Sequence, residues 1–171
     1  MTFISVTRLR LRSRRYLPSF LLNVFLSTWQ AINAEGFKGG KLLVDANQTY
    51  WTMTAWEEQA AMKIYRNAGA HRQVMPKIQD WCDEASAVHW RQEGDNLPDW
   101  IEVHQRLIKD GFLTKLSHPS PDHLTRNIPQ PKSSKTGTIF HPRFNYARNR
   151  VSCCDVETLH VTSLHQNDNF S

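Results

Sequence analysis

The sequence predicts an α+β chain of order βαββαβ over residues 1–93. Three features carry this: a period-two strand at the start, two apolar stretches at helical spacing, and a pair of strands set between those stretches.

Residues 2–12 alternate tightly. Phe3, Ser5, Thr7, Leu9 and Leu11 share one side, and Ile4, Val6, Arg8, Arg10 and Arg12 the other, which is strand periodicity. Pro18 suits a first helical turn. Phe20, Val24, Trp29 and Ile32, with Leu17, Leu21 and Phe25, form a broad helical stripe that Gly36 ends. Residues 37–45 are the second strand, with a bulge or close backbone approach expected at Gly39-Gly40. Ala46-Asn47-Gln48 is turn-like, and residues 50–56 form a third strand close enough to pair with the second as a hairpin. Glu57, Glu58 and Gln59 complement the partial positive charge of a helix start. Gly69 and Pro76 then divide the helix into 57–67 and a piece from residue 70 or later to 81. Residues 85–91 are the fourth strand, completing a ferredoxin-like split βαβ domain.

Residues 94–131 extend that domain. A helix at 98–109, with Trp100, Val103, Leu107 and Ile108 on one stripe, stops at Gly111, and 116–131 reads as an extended, wrapping segment. Residues 132–171, apart from a short patch at 138–144, read as a mostly irregular tail.

A net charge of +5 and a pI near 9.3 leave acidic partners open, but a charge this modest is ordinary for a soluble chain, so a nucleic-acid partner is not expected, and anion or nucleic-acid binding through the arginine strand trails the other readings. Cys82, Cys153 and Cys154 make no disulfide framework and fit a reduced, cytoplasmic compartment. Arg8 to Arg15 followed by apolar residues imitates a signal peptide. The strand-like Phe3 to Val6 ahead of it, and Pro18, Ser19 and Asn23 within the apolar run, argue for retention. No stretch reaches the ~20 apolar residues of a membrane span, so no membrane partner is expected. His118 with His123, and Cys153-Cys154 with His160 and His165, miss the spacing of structural zinc, and no metal site is expected.

Phe20, Trp29, Trp51, Trp56, Tyr65 and Met75 are the candidate walls of a pocket between sheet and helices, together with Tyr16; the alternative is ordinary core. His71, just past Gly69, is the candidate general base, able to take a phenolic proton. Its alternative is a histidine hydrogen-bonded at the helix break. His89 is the second choice. Arg8, Arg10 and Arg12 share a strand face with Ile4 and Val6. Buried there, they need carboxylates or an anion. That face, expected to be bare of helices, is the predicted surface of a homodimer.

Four runs carry a resemblance: residues 3–13 (FISVTRLRLRS), 36–41 (GFKGGK), 51–57 (WTMTAWE) and 65–71 (YRNAGAH). Over residues 2–90, and more faintly through Ser117-His118-Pro119-Ser120, the chain resembles an uncharacterised bacterial family related to the antibiotic biosynthesis monooxygenases. The resemblance implies a dimeric α+β barrel. Its superfamily spans cofactor-free monooxygenases of aromatic polyketides, haem-degrading and haem-containing enzymes, isomerases and members with no known activity, so the fold leaves the chemistry open. Haem-degrading members place an Asn in strand one, a Trp in helix two and a His shortly after. Here Thr7 and Tyr65 stand near the first two places and His71 falls too early, so no cofactor is expected and the motif does not support haem. The expectation is a monooxygenase-like protein, cofactor-independent or haem-associated, acting on or binding a flat apolar or aromatic small molecule. The alternative is a non-catalytic dimeric protein that binds a hydrophobic ligand or serves as a scaffold.

Overall fold

The computed structural model describes residues 1–132 and 138–141. Strand β1 (Thr2–Leu11) leads through a short 3-10 turn (Arg14–Tyr16) into helix α1 (Leu17–Ile32). The hairpin β2 (Phe37–Asp45) and β3 (Thr49–Trp56) follows, then α2 (Gln59–Arg66), α3 (Gly69–Trp81) and β4 (Cys82–Gln92). An extension adds α4 (Trp100–Asp110), β5 (Phe112–Leu113) and the single turn α5 (Pro121–Leu124), and β6 (Thr138–Phe140) closes the described chain. The sheet order is β5-β4-β1-β3-β2-β6, with every pairing antiparallel. Its inner order, β4-β1-β3-β2 with helical crossovers, is the ferredoxin-like arrangement predicted from the sequence.

Local chemistry explains most boundaries. Pro18 lies in the first turn of α1, where its missing N–H costs nothing. The register of β2 against β3 shifts between Phe37 and Gly39, and a Cβ on Gly40 would lie 2.3 Å from the Phe140 ring, so both the bulge and the close approach are present. The helix break falls at Asn67 and Ala68, before Gly69 at φ +51°; Pro76 sits inside α3 without ending it. Strand β4 starts at Cys82, earlier than the predicted residue 85, and the wrapping segment contains α5. The predicted tail lies outside the described residues except for Lys132 and residues 138–141, of which β6 pairs with β2.

The largest departure concerns the face expected to be bare. Ile4, Val6, Met53 and Val88 are covered by α4, which inserts Trp100, Val103 and Leu107 against them. Those three recur at helical spacing, and Asp99 caps the helix by accepting from the Ile101 and Glu102 amides at 2.9 and 2.8 Å. The pairing of two bare sheets expected from this face therefore has no bare sheet to use. Two of the three arginines on that face find carboxylates within their own chain, while Arg12 donates to the Asp80 carbonyl and the Tyr16 hydroxyl. Arg8 pairs with Glu84 at 2.5 Å, both almost fully buried, and Arg10 meets Glu84 at 2.5 Å and Asp83 at 2.8 Å. Ser120 donates to the same Glu84 carboxylate at 3.2 Å, tying the extension to the sheet.

Helix α1 buries only part of its expected stripe: Leu17, Phe20, Val24 and Ile32 pack inward. Leu21, Leu22, Phe25, Leu26 and Trp29 are exposed, while Asn23, Ser27 and Thr28 turn inward with Phe20 and Val24. At 100° per residue the inward arc passes through 20, 24, 27 and 31, which places 21, 25 and 29 outside.

Removing one partner of a buried ion pair strands the other charge. Glu84→Ala is therefore expected to lower unfolding free energy by about 3–5 kcal/mol in urea denaturation; a loss below about 1 kcal/mol would show that the pair holds little.

Candidate functional site

The two faces of the sheet carry different sizes of residue, and this opens a cavity. Toward α4 point Ile4, Val6, Trp51, Met53 and Val88, which fill that side. Toward α1 and α3 point Ser5, Thr7, Thr52, Thr54 and Ala87, too short to reach the helices. The space between is a cavity of about 200 Å³. Its roof is Phe20, Val24 and Ala31 of α1, Met62 and Tyr65 of α2, and Val74, Met75 and Ile78 of α3. Phe112 and Phe140 also line it; neither was singled out in the sequence.

Of the candidate residues, Phe20, Tyr65, Met75 and His71 line this cavity, and so does His89. Three do not. Trp51 lies on the opposite face against Trp100, because alternation in β3 gives the cavity Thr52 and Thr54 instead. Trp56 lies at the end of β3, wedged between Phe37 and Tyr65 behind the wall. Trp29 is on the outer arc of α1. Tyr16 stacks on Trp81 outside the cavity.

The segment carrying His71 is held by one amide. Gln30 Nε2 donates to the carbonyls of Tyr65 and Ala68, both at 3.0 Å, and Gln30 Oε1 accepts from the His71 amide at 3.0 Å. This docks the α2–α3 junction onto α1. Gly69 permits it: a Cβ there would lie 2.8 Å from Gln30 Oε1, in a left-handed conformation that disfavours side chains. Gln30 carried no sequence signal of its own, since an amide reaching across two helices leaves no periodic trace.

The His71 ring packs on Tyr65, centroids 4.8 Å apart, and its Nδ1 lies 3.2 Å from the Arg66 carbonyl. A carbonyl only accepts, so Nδ1 carries the proton and Nε2 the lone pair. Burial lowers the His71 pKa, aided by the Arg66 charge and opposed by the carbonyl contact. His89 is lowered likewise, by burial first and then by Arg66. Both imidazoles are thus neutral near pH 7. Tyr65 donates its hydroxyl to the Ser27 carbonyl at 3.2 Å, and burial pushes its phenol well up, so it stays protonated. Among the described residues Ser27 Oγ and His89 Nδ1 are buried with no partner in good hydrogen-bond geometry, the backbone of Val88 opposing the fall in the His89 pKa.

His123, set against His118 in the sequence, is committed to the backbone. His123 accepts from the Ala85 amide at 3.4 Å and donates to the Thr114 carbonyl at 3.0 Å, so both its nitrogens are engaged. Among the described residues no cluster of three potential metal ligands occurs, and no helix is long and apolar enough to cross a membrane. Cys153, Cys154, His160 and His165 lie outside the described residues.

No family model matches the sequence, and no curated protein matches it. Similar solved structures include a candidate antibiotic biosynthesis monooxygenase from Nitrosomonas europaea, at 12% identity and TM-score 0.49, covering 54% of this chain and 90% of that one. Another is a mutant of SnoaB, a cofactor-independent oxygenase from Streptomyces nogalater, at 12% and 0.47, covering 57% and 97%. A third is a mutant of MhuD with two manganese protoporphyrin IX molecules per active site, at 19% and 0.41, covering 56% and 99%. These neighbours are antibiotic biosynthesis monooxygenase-like or haem-binding proteins; the strand order and crossovers, not the likenesses, carry the fold.

The lowered histidines set a pH dependence. An unfolded histidine titrates near the ordinary 6.5, whereas these two protonate only at lower pH when folded. Between those values the unfolded chain binds more protons, so stability is full above about pH 6.5 and falls as pH drops below it. Thermal melting from about pH 7.5 to 5 should show this decline, and His89→Gln should flatten it. An unchanged slope in that variant would remove His89 from the effect.

Proposed function

We propose that the protein takes up a small hydroxylated aromatic molecule in this cavity and acts on it as a cofactor-independent oxygenase. The supporting observation is an apolar cavity whose lining includes a neutral imidazole with its Nε2 lone pair uncommitted. A cavity of ~150 Å³ accommodates benzene, so one of about 200 Å³ suits roughly one or two fused rings. A tetrapyrrole exceeds that space, so the cavity as it stands does not fit haem.

In this reading the Nε2 of His71 accepts the phenolic proton. The resulting anion is electron-rich enough to reduce molecular oxygen directly. For 1-naphthol the balance closes without another reductant: one oxygen atom bonds to the ring carbon para to the hydroxyl, the O–O bond breaks, and the second oxygen leaves as water with the two displaced hydrogens. The product is 1,4-naphthoquinone. Apolar walls favour proton transfer by keeping bulk water from the base. The dimeric ligand-binding alternative shares the cavity but needs no base.

Binding and turnover separate these readings. Ala87→Trp, which fills the floor, should abolish 1-naphthol binding by calorimetry while the chain stays folded. His71→Ala should leave that binding nearly unchanged and lower oxygen uptake with 1-naphthol about a hundredfold or more. Equal uptake at matched folded fractions would remove His71 from the chemistry and favour the binding protein. Undiminished binding in Ala87→Trp would place the ligand elsewhere.

A further inference from the structure

Charge around the cavity is one-sided. Among the described residues that line it there is no carboxylate, and the sole permanently charged side chain is Arg66. Arg66 closes α2 directly before the break that Gln30 holds, so its backbone is fixed on both sides: its own carbonyl takes the His71 contact, and Tyr65 before it is bound to Gln30. Its guanidinium is solvent-exposed at the cavity rim. It makes no ion pair among the described residues. Its one side-chain partner there is Asn67 Oδ1, at a long 3.4 Å. Two arginines of the β1 face, by contrast, have carboxylates: Arg8 has Glu84, and Arg10 has Asp83 and Glu84. Arg66 is positioned as carefully and left unneutralised.

We propose that the cavity's ligand is an aromatic carboxylate, with its anionic group held by Arg66 at the rim and its ring between the Ser/Thr floor and the apolar roof. This rests on the cavity being the ligand site, as argued above. The polar groups are arranged for such a molecule along its length. At the rim the guanidinium offers several N–H donors in a planar fork that matches a carboxylate. Val74 and Phe20 offer the ring apolar surface. Ser27 Oγ and His89 Nδ1, buried without a partner in good geometry among the described residues, can hydrogen-bond a ring hydroxyl. An aromatic lacking the acid would leave Arg66 unpaired; one with a cationic substituent would meet it directly. Arg66 is then the residue that selects for acids.

The test uses a pair of probes that differ in charge and little else, 2-naphthoate and 2-naphthamide, titrated into the full-length protein by calorimetry. The wild type should bind the carboxylate at least about tenfold more tightly than the amide, and the preference should shrink as salt rises, since an exposed ion pair is screened. Arg66→Gln should abolish the preference while leaving amide affinity unchanged. Arg66→Lys should keep most of it, which shows that charge at this position, not altered folding, is responsible. Equal affinities for the two probes in the wild type, or a preference that survives Arg66→Gln, would overturn the role of Arg66 while leaving the cavity as the ligand site. If neither probe binds and 1-naphthol is also silent, the cavity reading itself falls.

Discussion

The structure depends on the alternation of β1, which is paired along both edges: against β3 from Phe3 to Arg10 and against β4 from Thr2 to Leu11. Because the side-chain period is two, a slip by one residue would exchange its faces. Ser5 and Thr7 would then be pressed under α4, and Ile4 and Val6 would fill the cavity. The same slip would turn Arg8 away from Glu84 and leave two charges buried apart. The register is thus enforced from both sides, by large apolar residues and a buried ion pair on one face and by the need for small residues on the other. The cavity follows from that choice, since the helices rest on their rims rather than on the floor.

Much of this was legible in the sequence. The period of residues 2–12, the hairpin and the glycines of β2 are local signals that appear at their expected places, whereas α1 ends at Ile32 with Asn33 as its cap and Gly36 serves the turn into β2. What was not legible is which face each apolar residue serves. Trp51 and Trp29 read as ligand walls because aromatic residues at regular spacing look alike whether they face a cavity, a second helix or solvent. The covering of the sheet by α4 was hidden for a related reason. An amphipathic helix announces that it packs on something, and Trp100, Val103 and Leu107 do not say on which surface.

The site was half visible. His71, Phe20, Tyr65 and Met75 line one cavity, but the elements that shape it are long-range and polar. Gln30 joins α1 to residues 35 to 41 positions away, and the charge of Arg66 gains meaning only once the described lining of the cavity is known to hold no carboxylate. The small floor residues were readable individually as strand formers, yet their effect is collective: five short side chains on one face produce a void that no single one predicts.

The methionines offer the most direct test of where a ligand sits. Met62 and Met75 line the cavity, whereas Met53 is fully buried on the opposite face under α4. With methionine methyl groups carbon-13 labelled, addition of 1-naphthol should move the Met62 and Met75 signals through the ring current of the bound aromatic and leave Met53 in place. A shift of Met53 with Met62 and Met75 unmoved would put the ligand beneath α4 and contradict the cavity as the site.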